Sequence, residues 1–254
     1  MLLAAGCWPG ALRAATTSGV GRFSFVVAND FHHENSECDA WFDRLFRQIG
    51  AHRDLAFCAA LGDLANKGRP ESLQAMKRAL ELTGVPFYTV PGNHDNDLEE
   101  TTALYSSVFP GRLNYTWSHA GWQFVAIDTT DGKKWGDTHV SAATLSWLDA
   151  EIPSLDPARP TVLCTHFPMT PIRNLTPLNV EDVLARFEKI NLRGVFSGHY
   201  HGKQIVTRGA YDLVTDVCCS RFAKNHDGSL EKGYWLCRGE EDGALRREFV
   251  PFAG

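Results

Sequence analysis

Apolar residues recur along this chain in short runs of strand formers separated by stretches of helical period. Phe23 to Asn29 (FSFVVAN) is a continuous apolar run that ends on Asp30 and predicts a buried strand. From Asp39 onward Trp41, Leu45 and Ile49 recur at helical spacing with Phe42 and Phe46 beside them, which predicts an amphipathic helix over 39–49 whose aromatics are core. Leu55 to Leu61 repeats the strand pattern and ends in Gly62-Asp63, and Pro70 to Thr83 predicts a helix closed by Gly84. Phe87 to Val90 predicts a third strand, running into Pro91-Gly92-Asn93-His94-Asp95. A helix is expected from Leu98 to Val108, then a hairpin in which Tyr115 to Ser118 and Gln123 to Ile127 flank His119-Ala120-Gly121. Helices over 141–152 and 179–190 and strands over 161–165 and 194–197 follow, and 204–207, 210–215, 234–237 and 244–250 read as further short strands. Mixed strands with helices between them, and no repeat or linker, predict two packed sheets with helices outside, a single α/β domain over 22–254.

Composition narrows the class. The chain has 254 residues, 44% hydrophobic and 22% charged, which excludes disorder, collagen and coiled coil. A chain of this size buries about 70–75% of its unfolded surface, so its core needs no metal or disulfide, and a metal site would be functional. The formal charge is −5, and Lys and Arg are scattered without a run. That leaves no basic stripe for nucleic acid, and bound cations become the natural source of positive charge for an anionic substrate. Seven cysteines form no disulfide framework: Cys58 and Cys164 sit in apolar strand runs as buried thiols, and adjacent Cys218 and Cys219 lack a second pair at zinc spacing. Met1 to Ala15 is apolar, with no charge before Arg13. Residues 1–21 therefore read either as a disordered tail or as the remnant of an export signal, too short for a membrane span. An exported, periplasmic location follows from the second reading and a cytoplasmic one from the first.

Five polar clusters each follow an expected apolar strand: Asp30-Phe31-His32, Gly62-Asp63, Gly92-Asn93-His94-Asp95, Thr165-His166 and Gly198-His199-Tyr200-His201. Ligands in open α/β sheets bind beyond the carboxyl ends of the strands, so these clusters are expected to converge on one crevice. They offer Asp30, Asp63 and Asn93 as oxygen donors and His32, His166, His199 and His201 as nitrogen donors, without a thiolate. That set exceeds one ion and suits two transition metals such as manganese, iron, zinc or nickel, with Asp63 the natural bridge. Two cations about 3.5–4 Å apart neutralise a phosphate and generate hydroxide at neutral pH. His94 is then the candidate general acid for the leaving group, with Asp95 expected to orient its ring.

Taken in order, DFH, GD, GNHD, the His after a strand and GHYH resemble the calcineurin-like metallophosphoesterase superfamily, over about Phe23 to Gly202. The resemblance implies a four-layer αββα sandwich of two mixed β-sheets. It implies one metal on Asp30, His32, Asp63 and His201, a second on Asp63, Asn93, His166 and His199, and His94 as catalytic histidine with Asp95 behind it. It further implies hydrolysis of a small-molecule phosphoester by metal-bound hydroxide. The chain lacks the GDxVDRG of protein phosphatases. It has Asn66 where purple acid phosphatases place an iron-binding tyrosine. GNHD with GHxH is similar to the cyclic-nucleotide and glycerophosphodiester phosphodiesterases, which favours a phosphodiester over a monoester. A nuclease and a metal-binding scaffold without turnover are the alternatives.

The other candidates are weaker. His33 is expected to point away from the ligand side of its strand, and His52, His119 and His139 read as surface or turn residues. Asn225, His226, Asp227 and nearby Arg221 form a late polar loop read chiefly as solvated, and Arg173 is a candidate phosphate contact in the loop after His166.

Overall fold

A computed structural model describes residues 19–254. Among the described residues eleven strands form two sheets. The first has the order β11 (Leu245–Phe252), β10 (Lys232–Gly239), β1 (Phe23–Ala28), β2 (Leu55–Leu61), β3 (Phe87–Val90). The second has the order β4 (Tyr115–His119), β5 (Trp122–Ala126), β6 (Thr161–Cys164), β7 (Leu192–Ser197), β9 (Tyr211–Thr215), β8 (Gln204–Arg208). β1, β2 and β3 pair in parallel, as do β5, β6, β7 and β9, while β10, β11, β4 and β8 pair antiparallel at the flanks. Helices α1 (Asp39–Gly50), α2 (Pro70–Glu81), α3 (Ala103–Val108), α4 (Ala142–Glu151) and α5 (Val180–Ala185) complete the regular structure.

The period-2 alternation of the strands sorts their side chains into three cores. Phe25 and Val27 of β1, Phe124 and Ala126 of β5, Cys164 of β6, Phe196 of β7 and Val214 of β9 fill the space between the sheets. Their neighbours Val26 and Ala28 turn outward against Phe42, Leu45, Phe46 and Ile49 of α1 and Leu73, Met76 and Leu80 of α2. On the second sheet Val125, Leu163, Val195 and Leu213 turn outward against Leu148 of α4 and Val183 and Leu184 of α5. Helix, sheet, sheet and helix are therefore four layers, as expected. Trp41, Phe42 and Phe46 pack in or against the outer core of the first sheet.

The expected elements agree with the observed ones apart from two helices. Residues 98–102 stay outside α3 because the Asp97 carboxylate accepts from the amides of Glu99 and Thr101 and from the Thr101 hydroxyl, which closes a turn instead. α5 stops at Ala185, and 186–188 continue as tighter turns in which Arg186, Phe187 and Glu188 donate three residues back. The hairpin turn is the pair Ala120-Gly121, both with positive φ, and Ser141 caps α4 by accepting from the Thr144 amide. The tail or export-signal reading of 1–21 falls, for residues 1–18, outside the described residues. Gly21 donates to the Ala120 carbonyl at 2.8 Å, and Val20 packs on the core between the sheets. Among the described residues no helix is long and apolar enough to cross a membrane, and Cys38, Cys58, Cys164, Cys218, Cys219 and Cys237 are free buried thiols.

Candidate metal centre

β1, β2, β3, β6 and β7 all deliver their clusters to one end of the two sheets. Asp30, His32, Asp63, His199 and His201 each adopt a left-handed backbone, with φ between 47° and 65°. Asp and His tolerate that region better than most residues, and here it turns the chain sharply at each strand end. Glycines let the loops close on one another. A Cβ on Gly92 would fall on the Asp63 carboxyl, and one on Gly198 would lie 3.0 Å from Asp30 Oδ2.

The result is two overlapping groups of donors. One ligating atom from each of Asp30, His32, Asp63 and His201 lies within 4.8 Å of the others, and the same holds for Asp63, His166 and His199. Asp63 belongs to both. Its Oδ2 is 3.4 Å from His32 Nε2 and its Oδ1 is 3.4 Å from His166 Nε2, while Nε2 of His32 and of His201 face each other at 3.0 Å. Asn93 Oδ1 lies 3.3 Å from His166 Nε2, which adds the amide to the second group. All seven expected donors are buried and brought together.

The rings are oriented by backbone carbonyls, which only accept. His166 Nδ1 donates to the Leu61 carbonyl at 2.9 Å and His201 Nδ1 to that of Lys224 at 3.1 Å, so each keeps its Nε2 lone pair for the cleft. His199 Nε2 donates to the Trp135 carbonyl at 2.8 Å, which leaves Nδ1 as its free donor atom. Asp30 is held by the amide of His199 at 2.9 Å and by Asn29 Nδ2 at 2.6 Å, and Asp63 by the amide of His94 at 2.9 Å.

Electrostatics agree with a cation-binding role. Burial pushes His32 and His201 down to about 4 and His199 to about 3, so these rings are neutral ligands at physiological pH. Burial also works against charge on His166, but Asp63 and Asp30 outweigh it and raise this imidazole. The Asp30 carboxyl is raised, chiefly by burial and further by Asp63. Burial opposes ionisation of Asp63 too, yet the surrounding His166, His32, His94 and His199 hold it below the usual carboxylate range. Imidazole and carboxylate oxygens converging without a thiolate fit transition-metal cations rather than a structural zinc site.

His94 stands at the edge of this group, its ring edge-on to His32 at 4.7 Å. The expectation that Asp95 orients it is corrected. The Asp95 carboxylate accepts from the amides of Ala65 at 2.8 Å and Gly92 at 2.9 Å, so it clamps two ligand loops together. Burial and the Asp63 charge push it up to about 7. The orienting partner of His94 is the Asn66 carbonyl, which accepts from Nδ1 at 2.8 Å and leaves Nε2 free.

A cleft of about 340 Å³ opens at the donors, lined by His32, Asp63, His94, His199 and His201 together with Trp135, Leu175, Ala223 and His226. The late polar loop does reach it: His226 stacks on His201 at 4.9 Å and its amide donates to the His201 carbonyl. Arg221 instead contacts Glu37, Asn225 is a buried brace of its own loop, and Arg173 is exposed with no place in the cleft lining. His33 turns away, pairing with Asp39 at 2.8 Å. His139 is exposed, whereas His52 and His119 are half-buried against Tyr234 and Phe23. Sequence reasoning missed Trp135. Its only signal was a large apolar residue in the polar loop between β5 and α4.

A carboxylate shared between two imidazole-rich groups, at the strand ends of a four-layer α/β sandwich, defines a metal-dependent class of phosphoester hydrolase. The model of the calcineurin-like phosphoesterase family matches residues 23–203, and the chain belongs to that family. It is similar to a probable cyclic nucleotide phosphodiesterase of Synechococcus sp., 29% identical over 196 residues that cover 74% of this chain and 73% of that protein. It is also similar to the glycerophosphodiester phosphodiesterase GpdQ of Enterobacter lignolyticus, 29% identical over 154 residues, with 55% of this chain and 54% of that one covered. Against the latter the chain spans about half the length. Among solved structures, the purple acid phosphatase PPD1 of yellow lupin seeds superposes with a TM-score of 0.68 over 92% of this chain and 52% of that one, at 13% identity, a likeness of fold.

Proposed function

We propose that this chain is a dinuclear metal-dependent hydrolase of small phosphodiesters, carried by one domain over residues 22–254. Asp30, His32, Asp63 and His201 would hold one cation and Asp63, Asn93, His166 and His199 the other. The observation that carries this reading is the membership of Asp63 in both donor groups. Bound there, manganese, iron or zinc ions would neutralise the phosphate and supply an activated water.

The chain's own residues do the rest. The Leu61, Lys224 and Trp135 carbonyls fix which nitrogen each of His166, His201 and His199 presents, so the donors are set before an ion or substrate arrives. Asn66 holds the His94 ring so that Nε2 can hand a proton to the leaving oxygen. Asp95 is a positioning residue that ties the Ala65 and Gly92 loops into one frame. The relatives' phosphodiesterase names support the diester preference.

Metal analysis, with hydrolysis of bis-p-nitrophenyl phosphate compared against p-nitrophenyl phosphate, tests the reading. Two ions per chain and faster diester cleavage are expected. His94→Ala should keep both ions and lose about 10²–10⁴ in rate on a poor leaving group. A variant as fast as the parent would remove His94 from the role.

A further inference from the structure

A second recess, of about 240 Å³, opens beside the cleft and is lined by Asn66, Lys67, Asn93, His94 and Lys133. Its lining carries two lysines and no carboxylate. Lys134 pairs with Asp131, Lys203 with Glu231, Arg186 with Asp149, Arg208 with Glu181 and Arg247 with Asp212. Among the described residues no carboxylate comes within 4.0 Å of Lys67 or Lys133 in the same way. Of the carboxylates on this flank, Asp131 pairs with Lys134 and Glu100 packs against Gly132.

Both lysines stand on backbone that is locked to the loop carrying Asn93 and His94. Asn66, next to Lys67, takes the His94 ring on its carbonyl and donates its own amide to the His33 carbonyl. Gly68, on the other side of Lys67, lies so close to the Asp95 and Asn96 backbone that a Cβ there would meet it. Gly132, next to Lys133, accepts from Asn96 Nδ2 at 3.1 Å. The Cα positions of both lysines are thus set relative to His94. Two like charges lining one small recess favour an anion within it.

We infer that Lys67 and Lys133 form an anion subsite for the leaving group, and that the substrate is a phosphodiester whose departing alcohol carries a second negative charge, a phosphate or a carboxylate. This rests on the phosphodiester reading, with His94 beside the departing oxygen. The scissile phosphate sits over the donors, the leaving oxygen reaches His94, and the extra anion enters the recess beyond it. The subsite deepens selectivity without taking part in bond breaking. Its cations draw on Coulomb attraction at a partly exposed position and are therefore screened by salt.

The experiment uses the metal-loaded protein and K67A/K133A, both surface changes that leave the three cores intact. Hydrolysis of glycerophosphoglycerol and of the same diester bearing a terminal phosphate is followed by the loss of the diester phosphorus resonance. The parent should favour the phosphorylated diester, and the double variant should lower that ratio of kcat/KM by about tenfold or more, with the parent's preference shrinking between 0.05 and 0.5 M salt on the order expected from screening. A ratio the same in both proteins, with both diesters cleaved, would overturn the subsite and leave the phosphodiester reading standing. Calorimetric binding of a three-carbon bisphosphate against its monophosphate reads the recess without turnover. The bisphosphate's advantage should vanish in K67A/K133A, and a protein that cleaves neither diester yet shows this loss would fail as a phosphodiesterase while keeping the subsite. An advantage that survives in the variant overturns it.

Discussion

Gly92→Ala isolates the claim that one carboxylate serves both donor groups. Gly92 has φ −104° and ψ 172°, an extended backbone that alanine adopts freely, so the substitution adds no torsional strain. What it adds is a methyl group against Asp63, whose Cγ would lie 2.8 Å away with Oδ1 and the backbone nitrogen nearer still. Asp63 is 1% exposed and held by the His94 amide, so it has no empty space to swing into. Overpacking of this kind costs about 1–3 kcal/mol. For a chain of this size that corresponds to a fall of roughly 2–12 °C in Tm. On the dinuclear reading the functional consequence is larger, because a displaced Asp63 would weaken both proposed ion sites together. Metal titration with a calorimetric melt of the metal-free protein reads both effects. Gly84→Ala is the control: Gly84 has φ +71° with nothing within 4 Å of a Cβ, so alanine there strains the backbone by about 1–2 kcal/mol but touches no ligand. A G92A protein that binds two ions at parental affinity, or that loses one and keeps the other untouched, would refute the shared-carboxylate argument.

Asp216 is buried, its Oδ2 has no hydrogen-bond partner, and burial raises its carboxyl well above the usual 3.8. Because the folded state keeps the proton that the unfolded chain releases, the contribution of Asp216 to stability should fall as pH rises above about 4, and Asp216→Asn should gain stability relative to the parent between pH 4 and 7 in denaturant titrations; the same difference at both pH values would count against the assignment. Phe57 stacks on Phe25 at 5.1 Å and meets Phe124 edge-on at 5.0 Å between the sheets, so Phe57→Ala should cost about 3–5 kcal/mol in urea unfolding, and a loss under 1 kcal/mol would mean that this core is loosely packed. Chelation should lower Tm without changing the far-ultraviolet circular dichroism, since the strand ends and carbonyls hold the donors without ions; free metal at 100 times Kd stabilises by only about 2.7 kcal/mol per site, and unfolding on chelation would contradict a preformed site.

The layers were legible because strand burial is written in continuous apolar runs, and because each run stops at a polar residue that has work to do beyond the sheet. Phe23 to Ala28 and Leu55 to Leu61 are such runs, and the donors Asp30 and Asp63 follow them directly. The late start of α3 was not legible for a local reason: Asp97 and Thr101 offered the backbone side-chain partners that compete with a helix. Within the site, side chains could be read and their partners could not. Asn66, Leu61, Lys224 and Trp135 act through main-chain carbonyls, which every residue has, so nothing in their identity marks them. The Asp95 error has the same origin. Adjacency to His94 suggested a ring contact, but in the tight turn over Asn93–Asp95 neighbouring side chains diverge, and Asp95 faces backbone amides instead.

The left-handed residues explain why the donors cluster so tightly. Asp30 and His32 flank Phe31, and His199 and His201 flank Tyr200, each pair with positive φ on both sides of an aromatic residue. Phe31 is fully buried in the outer core, stacked on Phe46 at 5.6 Å, so it anchors a loop whose neighbours point the other way, into the cleft. A non-glycine residue in this region costs about 1 kcal/mol, and a strand end that repeats it persists only where packing over-determines the conformation. The aromatic anchor and the buried carbonyl partners supply that constraint. Strain at the strand ends and close packing beneath them are thus one device: the buried Phe31 between Asp30 and His32 fixes the backbone that turns both donors into the same group.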